Sequence, residues 1–237
     1  MRTGIIQSTL CRAYRFFRHH GGYGVHSPYA YHLITQVIGE RRGYYAYDDI
    51  ELIRKQLAHE EAGWHRDLTG KEGKLLFRLA NFAGARKVVQ LGSNDGLAAL
   101  YLTYHSREAQ CVVVEPEPER ARNASKVYER WGRGAIELRE GDYIKQMALL
   151  KIDKIDLFVV DPANSTSDVM VATEIALSRF HDQTLLVVEH LRDNMRSMTY
   201  WEWLIKRSEP TVTIDLCTIG IAVFNRKLHK RNYKIYF

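Results

Sequence analysis

Apolar positions along the chain follow two periods. Residues 48–60 (DDIELIRKQLAHE) set Ile50, Ile53 and Leu57 at helical spacing. Residues 72–83 (EGKLLFRLANFA) repeat the pattern with Leu75, Leu76, Leu79 and Phe82, and Gly84 stands where a helix closes. From there short β-branched runs alternate with amphipathic stretches. Strands are predicted at 86–91, 110–115, 135–139, 155–161 and 184–189, and helices at 96–105, 117–131, 167–180 and 194–207. Near-continuous apolar strands separated by helices specify a parallel sheet covered on both faces, an α/β protein. The end of the chain breaks the alternation. TVTIDLCTIGIAVFN reads as two strands joined by a turn near Thr218–Gly220 with no helix between them, so they pair antiparallel.

Strand one ends at Leu91. The loop after it, Gly92-Ser93-Asn94-Asp95-Gly96, occupies the place where open parallel sheets bind ligands. Gly92 lets the backbone turn sharply, and Gly96 lets the next helix start close to a ligand. Asn94 accepts left-handed φ better than most residues. Strand two ends in Glu115, whose carboxylate can accept hydrogen bonds from two vicinal ribose hydroxyls. A dinucleotide fingerprint needs G-x-G-x-x-G; those positions hold Gly92, Asn94 and Leu97, so two of the three fail.

On these residues the chain resembles the class I S-adenosylmethionine-dependent methyltransferases. That family's first motif is an acid followed by glycines two, four and six positions later; here stand Gln90, Gly92, Asn94 and Gly96. Glu115 matches the acid that ends strand two, Gly141-Asp142 the pair that faces adenine, and Asp161 the acid that ends strand four. The terminal hairpin matches as well. The resemblance implies a Rossmann-like doubly wound sheet, mostly parallel with a C-terminal antiparallel hairpin, in strand order 3-2-1-4-5-7-6. It implies an N-terminal helical extension over 1–70 and a methyltransferase domain over 71–237. S-adenosylmethionine would be held by Gln90, Gly92, Ser93, Asn94, Gly96, Glu115, Pro116, Asp142, Tyr143 and Asp161. A closer resemblance is to the small catechol-type O-methyltransferase-like proteins. Within them it is to a bacterial subgroup marked here by Gly24-Val25-His26-Ser27-Pro28, GKLLFRL at 73–79 and TIDL…GI at 213–221. This implies methyl transfer to a hydroxyl of a small molecule. Two alternatives stay open: N-methylation of an amine or RNA, and a degenerate relative that binds without catalysis.

Methyl transfer is an in-line displacement that needs an aligned nucleophile and sometimes a base. Asp161 and His190 end neighbouring strands about 4.8 Å apart and can converge on one pocket as catalytic residues. His190 is a candidate general base, because its ordinary pKa lies near neutrality; a helix-capping role is the alternative. Catechol-type enzymes hold a divalent ion with an acid after strand four and an Asp-Asn pair after strand five. Here the second place reads Glu189-His190, with Asp193-Asn194 beyond it. A metal on Asp161, Glu189 and His190 is chemically feasible but departs from that pattern and is not favoured. Asp161-Pro162-Ala163-Asn164 lacks the aromatic that would stack a flipped base. The segment 19–32 (HHGGYGVHSPYAYH) reads as a lid or, preferably, as a packed arm at a homodimer interface. Trp201 and Trp203, with Tyr200 and Leu204, read as core rather than as a substrate pocket.

Charge changes the picture only at the ends. The chain of 237 residues carries a net +6. Residues 1–45 hold six arginines against one glutamate and residues 226–237 five Lys or Arg and no acid, so the middle is net negative. Such ends can touch nucleic acid, but a solvated face is the expectation, and no RNA binding is predicted. No apolar run approaches the ~20 residues of a bilayer span, and no signal-peptide core precedes Arg12. Cys11, Cys111 and Cys217 are widely spaced and show no C-x-x-C pair, which fits reduced thiols and a cytoplasmic protein.

Overall fold

The computed structural model describes residues 24–60, 68–94, 96–133 and 135–237. Cys11, Arg12, residues 19–23 and Asp95 lie outside them. The chain divides into two compact units, Arg41–Lys151, and Ile152–Phe237 with the described part of Met1–Glu40.

A short helix, α1, spans Pro28–His32. In Arg41–Lys151 the helix α2 (Tyr45–Glu60) precedes α3 (Gly70–Ala83). Three strands follow, β1 (Lys87–Leu91), β2 (Gln110–Glu115) and β3 (Ala135–Glu140), paired in parallel in the order β3-β2-β1. Their helices are α4 (Leu97–Thr103), α5 (Pro118–Trp131) and α6 (Tyr143–Leu149). The boundaries have local causes. Thr69 and Glu72 close a capping box on α3, Gly84 ends it in left-handed backbone, and Pro118 opens α5 with its fixed φ. Val88, Val89, Leu91 and Cys111–Val114 are buried, so β1 and β2 form the core of this unit. A Cβ on Gly73 would sit 2.2 Å from the Tyr101 ring, which is why α3 can press its first turn on α4.

The other unit holds β4 (Ile155–Val160), β5 (Phe180–Val188), β6 (Val212–Asp215), β7 (Gly220–Val223) and β8 (Arg231–Lys234), with α7 (Thr166–Leu177) and α8 (Met195–Lys206). β4 and β5 run parallel, and β7 pairs antiparallel with both β5 and β6. Strand order in the sheet is β3-β2-β1-β4-β5-β7-β6-β8. The expected Rossmann-like order is there, extended by one strand. β8 runs parallel to β6 at the edge, and its Arg231 and Lys234 are the charges that keep an edge strand from pairing further. The helix expected to reach residue 180 stops at Leu177. Phe180 belongs instead to β5, where its ring lies tilted against Phe158 (5.6 Å between centroids) and edge-on to Phe224 (4.8 Å). A Cβ on Gly220 would lie 2.6 Å from the Trp201 ring, so glycine lets α8 lie on the hairpin; Tyr200, Trp201 and Leu204 are core as expected, whereas Trp203 is only half-buried, with the Arg207 guanidinium over its ring.

Ser27 caps α1 and Pro28 starts it; a π-helix, Leu33–Ile38, continues from it. The Ser27-Pro28 end of the Gly24–Pro28 motif is therefore a helix-start signal. Cys111 is a free buried thiol, whereas Cys217 is disulfide-bonded, which departs from the expectation of three reduced thiols. No helix among the described residues is long and apolar enough to cross a membrane.

Candidate functional site

Two sets of side chains gather at the ends of strands. In Arg41–Lys151 the loop after β1 is held by its own hydrogen bonds. Gly92, Asn94 and Gly96 adopt φ of 97°, 49° and 81°. Asn94 thus takes the left-handed conformation its residue type tolerates. Gly96 also serves packing. A Cβ there would lie 3.1 Å from Val127 Cβ, so the glycine admits α5 to the start of α4. Gln90 is buried within β1. Its Nε2 donates to Gly92 O at 2.7 Å, and its Oε1 has no hydrogen-bond partner among the described residues. A buried acceptor left open in this way is costly and is suited to a ligand N–H.

Glu115 is completely buried, and the loop uses most of it. Ser93 donates both its N–H (2.7 Å) and its hydroxyl (2.8 Å) to Oε2, and Glu117 N donates to Oε1 at 3.0 Å. A carboxylate offers about four lone-pair sites, so roughly one remains, on Oε1. That is room for a single hydroxyl, not the vicinal pair, while Ser93 stays in place. Pro116 is exposed at the rim. Gly141, after β3, donates its N–H to Glu115 O at 3.0 Å. Asp142 is exposed and caps α6, accepting from Lys145 N at 2.9 Å; Tyr143 is buried.

In the other unit Asp161 follows β4, and its Oδ1 accepts from Ala163 N at 3.0 Å. His190 follows β5 at φ 53°, left-handed backbone that favours glycine. Its Nδ1 lies 3.0 Å from Asp193 Oδ2. Burial works against a charge on the ring. The hydrogen bond to Asp193 and the carboxylates of Asp161, Glu189 and Asp193 outweigh it and push the pKa up to about 10. A raised pKa favours the charged ring, whose Nδ1–H donates to Asp193. The cap of α8 is Asn194, not His190; it accepts from Ser197 N at 2.9 Å. Among the described residues no three His, Cys, Asp or Glu side chains are arranged to hold a metal ion.

The loop that carries His190 is clamped to the β6–β7 turn. Leu191 N donates to Thr218 O at 2.9 Å. Arg192 grips Asp215 with both terminal nitrogens, at 2.7 and 2.6 Å, and also reaches Cys217 O at 3.2 Å. Sequence reasoning missed this clamp, since nothing local links positions 192 and 215. Beside the loops after β4 and β5 lies an open pocket of about 460 Å³, lined by Asn164, Ser167, Met195, Arg196 and Thr199 among others. Arg196 Nη1 donates to Ala163 O and Asn164 O at 3.2 and 2.9 Å.

No protein-family model matches the chain, and no curated protein matches it by sequence. Solved structures do match by shape. A Staphylococcus aureus protein described as a caffeoyl-CoA O-methyltransferase aligns at TM-score 0.62 and 17% identity, over 81% of this chain and 97% of that one. The O-methyltransferase from Bacillus cereus, solved with S-adenosylhomocysteine, aligns at 0.56 and 17%, over 80% and 94%. The O-methyltransferase TomG from Streptomyces achromogenes, solved with S-adenosylmethionine, aligns at 0.58 and 17%, over 83% and 95%. At such identities the likeness shows the fold: the chain has the Rossmann-like architecture that these O-methyltransferases use.

Proposed function

We propose that this protein transfers the methyl group of S-adenosylmethionine to an oxygen of a small acceptor. The observation that carries this reading is the loop after β1. It has left-handed backbone at Gly92, Asn94 and Gly96, and a buried acceptor, Gln90 Oε1, open toward an N–H donor. An ammonium group fits that acceptor, and the remaining site on Glu115 Oε1 fits one ribose hydroxyl. S-adenosylmethionine, when bound, supplies a sulfonium-bound methyl open to in-line displacement. The rest falls to the chain. Asp161 takes the proton of the acceptor hydroxyl. The His190 imidazolium donates to the acceptor oxygen and favours its ionised form, a part that a divalent cation plays in catechol-type enzymes. The pocket beside Arg196 receives the acceptor's body.

Titration calorimetry with S-adenosylhomocysteine, followed by a screen of hydroxylated acceptors for its release from S-adenosylmethionine, tests the proposal. Asp161→Asn should bind the nucleoside as wild type does and lose about 10²–10⁴ in turnover. Full turnover in that variant would remove Asp161 from the chemistry. Binding without turnover on any acceptor would instead support a second reading, a cofactor-binding protein without catalysis. The tie between Ser93 and Glu115, which occupies the ribose anchor, favours that reading.

A further inference from the structure

The open pocket beside the loops after β4 and β5 is lined by a charge that no ion pair balances. Its volume, about 460 Å³, is in the range of sites for one small molecule. Arg196 is the single charged side chain among its lining residues. That arginine is pinned through one nitrogen, Nη1, which donates to Ala163 O at 3.2 Å and to Asn164 O at 2.9 Å. Its Nε and Nη2 bond no described residue. The arginines of this unit that form ion pairs are Arg192, Arg207 and Arg226 instead. The Nε and Nη2 donors share one edge of the guanidinium, where the N–H bonds run parallel and can grip an oxyanion at two points.

The rest of the lining agrees. Two helices begin at the pocket: Thr166 and Ser167 open α7, and Met195 and Arg196 open α8. First-turn N–H groups have no carbonyl four residues back, and each helix start carries partial positive charge. Asp168 is the acid in the first turn of α7, and its oxygens are engaged there. Oδ2 takes the Ser165 hydroxyl at 2.6 Å and Oδ1 the Ser167 hydroxyl at 3.3 Å. With that charge on α7, one arginine suits a carboxylate monoanion better than a phosphate dianion. Met195, 70% exposed, adds an apolar surface. Ala163 ties the pocket to the chemistry. Its carbonyl takes Arg196, and its N–H donates to Asp161 Oδ1 at 3.0 Å, so one residue fixes the arginine and the acid relative to each other.

We propose that the acceptor is a hydroxylated carboxylic acid. Its carboxylate sits on the Nε–Nη2 edge of Arg196, and its hydroxyl is left to Asp161, a fate that rests on the methyltransferase reading. The carboxylate site itself is tested by binding, in NMR titrations of the full chain. The probes are meta-hydroxybenzoate, its neutral analogue meta-hydroxybenzyl alcohol, and phenyl phosphate. Wild type is compared with Arg196→Gln, with Arg196→Lys, which keeps the charge without the fork, and with Met195→Glu, which sets a competing carboxylate beside Arg196. Wild type should bind the acid roughly five- to tenfold more tightly than the alcohol. Arg196→Gln and Met195→Glu should erase that preference and leave the alcohol unchanged, and Arg196→Lys should keep only part of it. A wild type that binds acid and alcohol alike, or neither, overturns the site, as does Arg196→Gln with the preference intact. Phenyl phosphate held more tightly than the acid would put a phosphate in the carboxylate's place and overturn the proposal. Should Arg196→Gln fail to fold, Met195→Glu, changed at an exposed position, decides: an unaltered preference in it overturns the site. S-adenosylhomocysteine separates the two readings. A wild type that prefers the acid through Arg196 yet does not bind this nucleoside refutes the methyltransferase reading and keeps the carboxylate site. One that binds the nucleoside without preferring the acid does the reverse.

Discussion

His190 combines two burdens in one residue, a left-handed backbone and a charge kept by neighbouring carboxylates. Asparagine tolerates that backbone and does not titrate, so His190→Asn isolates the charge. The folded pKa, about 10, stands above the ordinary value near 6.5. The stabilisation is therefore complete below pH 6.5 and is lost as pH rises toward 10. Urea unfolding should show wild type losing ~2–4 kcal/mol relative to His190→Asn between those limits; parallel curves would mean the ring is not charged in the fold. Glu115 makes a second test. Ser93→Ala removes one donor from Oε2 and makes room for a second ribose hydroxyl, so S-adenosylhomocysteine should bind tighter. Glu115→Ala removes both the loop's anchor and the ribose acceptor, and should weaken binding by about 1.5–3 kcal/mol or more. Calorimetry on the pair would discard the latch if Ser93→Ala binds more weakly than wild type. These contacts were half legible beforehand. Asn94 and Glu115 announce themselves by type and place, but Ser93 competing for Glu115 is a contact across 22 positions that no local pattern encodes.

Between elements, the clamp from Arg192 to Asp215 fixes the β5–α8 loop on the hairpin. Asp215 is nearly buried, with its side chain 7% exposed, so a carboxylate robbed of its guanidinium is destabilising. Arg192→Met should cost about 3–5 kcal/mol in urea unfolding. Adding Asp215→Asn should give back part of that loss, as coupled partners do; strictly additive losses would show that the two do not act as a pair. The βα alternation and the hairpin could be read from period alone, because strands buried on both faces are almost purely apolar. α6 could not, since seven residues carry little periodicity and Asp142, its cap, also suits a ligand contact. β8 was hidden for the opposite reason. Arg-Asn-Tyr-Lys has the polarity of a tail, and only its place at a sheet edge makes that composition suitable for a strand.

Across the whole molecule the basic surplus sits at the chain ends, and part of it is already spent. Arg231 and Lys234 guard the sheet edge, and Arg226 pairs with Asp182 at 3.0 Å. A gel shift with RNA at physiological salt should therefore show no retarded band; a band that fades steeply with added salt would instead assign phosphate contacts to these ends. The fold could be inferred from the sequence as a whole because the strands of the alternation, the terminal hairpin and most helices agreed on one topology. The acceptor could not, because Asn164, Ser167, Met195, Arg196 and Thr199 read as ordinary surface until folding brings them round one pocket. Cys111, in the middle of β2, gives that folded state a clock. Burial holds its thiol up at about pKa 12, so it is shielded and protonated whenever the sheet is closed. An alkylating reagent added in excess can mark it only during an opening of the central strands. The yield of the Cys111 peptide over time then reads the lifetime of the closed sheet without a probe being introduced, and any ligand that seals the loop after β1 can be scored by how far it slows that mark.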